Sequence, residues 1–277
     1  MVRLVVALLT AVTLLVGCGV QAPVVIPPRQ RCVAQVGGTT AELDLEQARN
    51  AAIIAGVAIQ RGLAPRAASI ALATAFQESD IRNLDYGDRD SIGLFQQRPS
   101  QGWGTVAQIM DPHYATGKFY DGLVKVKGWE TGDINDVAQA VQRSGVPDGY
   151  RKHVDRARIL ASALTGETPA AFTCLVREPP AGDLATLEAM LTRTYGTAAP
   201  LTPVPGTPAG AEIATRSTAV GWSVAAFAQA WSSGAGVRTV SHAGQSWTVS
   251  GSSLAAWATP ATPTPGVEPA VVTVRLG

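Results

Sequence analysis

The 277-residue chain is poor in the side chains that build metal cages and in charge of either sign. Its three cysteines and three histidines are scattered, with no Cys-x-x-Cys or His-x-x-x-His spacing. A Cys/His zinc module is therefore excluded. Charged residues make up only 16%, and 22 basic against 21 acidic side chains leave a net charge of +1. No basic field exists to hold a nucleic-acid backbone. After the first 17 residues there is no run of about 18 apolar residues, which excludes a multi-span transporter. What the chain does have is apolar mass, 46% of residues. That is too much for a disordered polymer, and the length suits one large domain or two modest ones.

Residues 1–17 read as a secretory leader, with Arg3 as the positive start and an apolar run from Leu4 to Val16 that is short for a membrane span. Leu15-Val16-Gly17-Cys18 resembles a bacterial lipobox, which makes Cys18 the expected lipidation site. Residues 18–31, with Pro23, Pro27 and Pro28, suit a tether leading away from a membrane. The expected location is extracytoplasmic, at the cell membrane, with a lipid anchor. Cys32 and Cys174 then remain as an even pair in an oxidising exterior, where a disulfide is the expected state.

From Asp44 the pattern turns helical. Asp44 and Gln47 form a capping-box pair, and Gly62 is a natural stop. Pro65 opens a second helix through Ser79, built almost wholly of small and apolar residues and hence buried. Helical patterns resume at about 112–126, 134–144 and 150–164, leaving one long irregular loop over 80–104. The unit 32–176 is therefore expected to be all-helical. Residues 177–210 read as a helix (Leu184 to Tyr195) and a Pro-rich linker, and 211–277 as a small α/β unit. That unit has strands near 213, 237–241, 247–249 and 270–276 and a helix at about 220–231. The fold class expected is mainly α with a small α/β C-terminal domain.

The informative stretch is Ala71 to Trp103. Glu78 sits at the end of the buried second helix, at the negative end of its dipole and among apolar neighbours. Both influences favour the protonated carboxyl. A carboxylic acid held neutral near neutral pH can protonate a glycosidic oxygen. Gly93 permits close approach of backbone to a sugar ring. Gln96 or Gln97 can both donate to and accept from an acetamido group or the catalytic carboxyl. Leu94 and Phe95 pin the loop, and Trp103 either stacks on a sugar face or packs into the core.

Glu78-Ser79 at a helix end, followed by Ser91-Ile92-Gly93-Leu94-Phe95-Gln96, resembles the lytic transglycosylase and goose-type lysozyme superfamily. More broadly, the chain is similar to a group of actinobacterial exported lipoproteins with a Gly-Asp-Arg-Asp-Ser and Gln-Gln-Arg-Pro-Ser loop. Members sometimes carry a heavy-metal-transporter name, for which this sequence has neither spans nor a ligand cluster. The resemblance implies a lysozyme-like helical domain over 32–176 and one acid, Glu78, that works as both general acid and base. It also implies a cleft closed by an Ala-x-x-Tyr-Asn segment and a later tyrosine. Here Val141-Gln142 stands where Tyr-Asn is expected, with Gln142 as the substitute amide, and Tyr150 follows.

Most glycosidases use two carboxylates, and Asp88 or Asp90 is a possible second one. Turn chemistry is the competing reading for Asp85, Asp88 and Asp90, and a Ca²⁺ loop a weaker one. His113 and His153 read as packing or surface residues. Trp222, Trp231, Trp247 and Trp257 suit either a small core or a glycan groove. The resulting expectation is a peptidoglycan-cleaving glycosidase acting on the MurNAc-GlcNAc linkage, without cofactor or metal. Its expected partners are glycan strands and, through the lipid, a membrane, with no nucleic acid; the oligomeric state is left open, with a monomer favoured. The alternative is a non-catalytic module that binds peptidoglycan or a wall or membrane partner.

Overall fold

The computed structural model describes residues 27–206, 209–259 and 270–277. The leader, Cys18 and most of the tether lie outside the described residues. The chain enters as a hairpin. Strand β1 (Arg31–Val36) turns back into β2 (Thr39–Leu43) through Gly37-Gly38. Both glycines have positive φ, 56° and 80°, as a two-residue hairpin loop requires. Strand β3 (Phe172–Leu175) pairs with the other edge of β1, giving the order β2-β1-β3. Cys32 faces Cys174 in this register, and the expected disulfide joins them.

Between β2 and β3 lies the helical body. Helix α1 (Leu45–Gln60) opens with the expected capping box: Asp44 Oδ1 accepts from the Gln47 amide at 2.9 Å, and Gln47 Oε1 accepts from the Asp44 amide at 3.0 Å. Helix α2 (Pro65–Ser79) is buried without interruption from Ala67 to Phe76. Its run of small residues lets other helices approach closely on several sides. Helices α4 (Pro112–Leu123), α5 (Ile134–Gln142) and α6 (Val154–Leu164) pack around it with α1. A four-residue α3 (Val106–Ile109) precedes α4.

The second half begins with α7 (Leu184–Tyr195). Strands β4 (Leu201–Val204), β5 (Gly210–Ala214), β6 (Val237–His242), β7 (Gln245–Thr248) and β8 (Val271–Leu276) form an antiparallel sheet in the order β4-β5-β8-β6-β7. Helix α8 (Thr218–Ala230) packs on it, followed by the short α9 (Ser232–Ala235).

The expected mainly α fold is therefore corrected. The molecule is mixed, 44% helical and 18% strand, with two antiparallel sheets of three and five strands. The all-helical expectation for 32–176 fails at its two ends, where β1, β2 and β3 close the unit as a sheet covered by α6 and α8. Covering buries Cys32, Val33 and Ala34 consecutively, which erases the in-out alternation that marks a strand. The Pro-rich segment also contains a strand: Pro203 sits in β4, opposite Ala211. As an edge strand, β4 tolerates a residue with no amide to donate.

One hydrophobic core runs through both halves. A Cβ on Gly56 of α1 would lie 2.3 Å from Thr194 Cγ2 of α7, so this glycine permits the close contact. Ser223 of α8 donates to the Leu164 carbonyl of α6 at 2.6 Å. Trp222 and Trp247 are buried. Trp247 donates to Thr173 Oγ1 and Trp257 to the Phe172 carbonyl, both at 3.0 Å, tying the C-terminal half to β3. Among the described residues no helix is long and apolar enough to cross a membrane.

Candidate functional site

Helix α2 ends abruptly. Asp80 and Ile81 both take left-handed backbone angles, φ 54° and 57°, an unfavourable state for a β-branched residue. Helix α1 holds this corner: Gln47 Nε2 donates to the Asp80 carbonyl at 2.8 Å, and buried Asn50 Nδ2 donates to that of Ile81 at 2.9 Å. The corner fixes where Glu78 projects.

The loop after the corner is pinned throughout. Ile92 and Gln97 exchange two backbone hydrogen bonds of 3.0 Å, closing 92–97 into a tight turn. Leu94 and Phe95 are fully buried, and Phe95 stacks on Phe119 at 4.7 Å between ring centres. Ser79 Oγ donates to the Leu94 carbonyl at 2.7 Å, and Gln142 Nε2 donates to that of Phe95 at 2.8 Å. The end of α2, the loop and the end of α5 thus converge on two consecutive carbonyls.

Tyr150 completes the group, its hydroxyl donating to Glu78 Oε1 at 2.7 Å. Burial lifts the Glu78 carboxyl above its ordinary range, while the Tyr150 and Gln142 side chains pull it partly back. The Tyr150 phenol is itself pushed up, first by burial and then by the Glu78 charge, so it remains a donor. A half-buried carboxyl with a fixed phenolic donor can give up a proton to a leaving oxygen and take one back.

A cleft of about 1010 Å³ opens over this group. Glu78, Asp88, Ser91, Gln96, Gln97, Trp103 and Gln142 line it, so the structure brings together most of the residues singled out from sequence. Tyr150 acts from behind Glu78. Gly93 and Asp90 are not among the lining residues. A Cβ on Gly93 would fall 2.8 Å from the Ile109 carbonyl, and its φ is +77°, so packing against α3 is what requires glycine here. Asp90 is occupied by Arg98 Nε at 2.6 Å and the Ser100 amide at 2.8 Å, and the Arg98 bond foremost holds its carboxyl well below the usual range.

No protein-family model matches this chain, and no curated protein does. The roles of the residues rest on geometry. Gln97 Nε2 donates to the Ala115 carbonyl at 3.0 Å, anchoring the loop to α4, while its Oε1 is buried without a partner among the described residues. Gln96 takes a left-handed φ of 47° and donates to the Tyr86 and Gly93 carbonyls at 3.2 and 3.3 Å. Asp88 is exposed, and its ion pair with Arg89 spans 3.8 Å. Asp85, Asp88 and Asp90 do not gather: among the described residues no group of three or more His, Cys, Asp or Glu side chains could hold a metal ion.

His113 and His153 lie away from the cleft lining. His113 Nε2 pairs with Thr194 Oγ1 at 2.9 Å, and His153 stacks on Phe76. The sequence reading missed Gln47 and Asn50 as supports of the Glu78 corner. It also missed Lys125 and Arg143 on the cleft wall. Two polar residues on the otherwise apolar buried face of α1 were the available signal for the first pair. For the second pair no local signal exists.

Proposed function

We propose that this protein is an exported glycosidase that cleaves peptidoglycan strands of alternating N-acetylglucosamine and N-acetylmuramic acid, with Glu78 as general acid and then general base. The observation that carries the reading is Glu78 itself: a carboxyl raised by burial, facing an open cleft and oriented by Tyr150 at 2.7 Å. Glu78 protonates the glycosidic oxygen as the bond from the anomeric carbon breaks. The carboxylate then accepts the proton of the muramoyl C6 hydroxyl, which closes on the anomeric carbon to give an anhydro end. No second buried carboxylate is needed for this route, and the only other acid on the cleft wall among the described residues is exposed Asp88. If Asp88 orients a water instead, the product is a reducing end.

Lipidation at Cys18 is part of the same proposal and would keep the cleft close to the membrane. A second reading, a module that binds glycan without cutting it, is favoured by Val141 standing where the resemblance calls for a tyrosine. Mass analysis of products from purified peptidoglycan separates the three. Anhydro ends support the single-acid route, and reducing ends that disappear in Asp88→Asn assign hydrolysis. Binding with no release of either product favours the module.

A further inference from the structure

The walls of the cleft carry a charge that the reaction does not use. Four cations line it, Arg89, Arg98, Lys125 and Arg143, against two acids, Glu78 and Asp88. Arg98 is neutralised by Asp90 at 2.6 Å, and Arg89 lies 3.8 Å from Asp88. Lys125 and Arg143 have no carboxylate within ion-pairing range among the described residues. Lys125 follows α4, and Arg143 caps α5 with a left-handed φ of 52°. Two cations without an ion-pair partner among the described residues thus line the same cleft as Glu78, in a chain whose net charge is only +1. Cations left without a partner favour an occupant that carries negative charge.

We infer that Lys125 and Arg143 select a glycan that carries carboxylates, and discriminate against a neutral amino-sugar polymer of the same length. The inference rests on the cleft being a glycan site, as proposed above, and names which glycans enter. Cations of this kind attract the ligand over a distance set by salt and hold it weakly once bound, so selectivity is expected to fall as ionic strength rises.

Binding without turnover tests it. The protein bearing Glu78→Gln is titrated with two probes, an N-acetylglucosamine hexamer and an alternating muramic-acid hexamer with free lactyl carboxylates. The second is expected to bind about three- to tenfold more tightly at low salt, an advantage that added salt removes. Adding Lys125→Gln and Arg143→Gln is expected to abolish that advantage and leave the neutral hexamer unchanged, with an unaltered melting temperature showing that the fold is intact. Equal binding of both hexamers, or a preference that survives the double substitution, overturns the inference. So does tighter binding of a glycerol-phosphate oligomer than of the muramic hexamer. Absence of cleavage by the wild type would count against the catalytic proposal and would leave this binding result standing.

Discussion

The Tyr150 hydroxyl and the Glu78 carboxyl set the properties of the site between them. Burial raises the carboxyl, and the phenolic hydrogen bond stabilises its charged form. Tyr150→Phe keeps the packing of the ring and removes that bond, so the Glu78 pKa rises further. A general acid must be protonated to act, and the alkaline limb of the pH–rate profile should therefore move to higher pH. A profile left in place, with wild-type rates, would show that Tyr150 does not govern Glu78. Much of this was legible in the sequence, because an acid at the end of a helix rich in alanine and other apolar residues is desolvated wherever the helix is buried. The left-handed corner at Asp80-Ile81 was not, since nothing in those two residue types asks for positive φ. It is held by Gln47 and Asn50, more than 30 positions away.

At the scale of elements, the loop 92–97 is positioned by steric fit against α3 and α4. Gly93→Ala forces a Cβ to within 2.8 Å of the Ile109 carbonyl at a φ that disfavours it. A loss of about 2 kcal/mol in urea unfolding is expected, and activity should fall with it because the Leu94 and Phe95 carbonyls anchor Ser79 and Gln142. A second joint lies between α4 and α7. Burial first, and then the Arg193 charge, depress His113 to about 4 from its ordinary 6.5. Between those values the unfolded chain binds the extra proton, so this contribution is complete above about pH 6.5 and is lost as pH falls toward 4. His113→Gln should flatten the stability profile in that window by about 3 kcal/mol. An unchanged slope would remove His113 from the account. Helices such as α1 and α2 were readable because caps and prolines mark their ends. The first sheet was not, because its cover buries neighbouring residues alike, although Gly37-Gly38 between a Val-rich and a Thr-rich run was an available hairpin signal.

For the whole molecule, the Cys32–Cys174 bond spans 142 positions and joins the first strand to the last strand of the same sheet. Closing so long a loop is worth about 5 kcal/mol in the chain-entropy model. Cys32→Ser with Cys174→Ser should lower the unfolding free energy by about 2–5 kcal/mol, and a loss below about 1 kcal/mol would contradict that role. The C-terminal half shares the core with the first half through α1, α6 and α8, and the strand hidden in its Pro-rich approach shows why composition alone drew that segment as a linker. The central claim is that all of this holds one acid over one cleft. It is tested most directly by incubating wild-type protein and Glu78→Gln with purified peptidoglycan and measuring released fragments by mass. The account predicts anhydro-ended fragments from the wild type and a fall of at least about a hundredfold in the variant. Equal release from both, or none from the wild type, would contradict it.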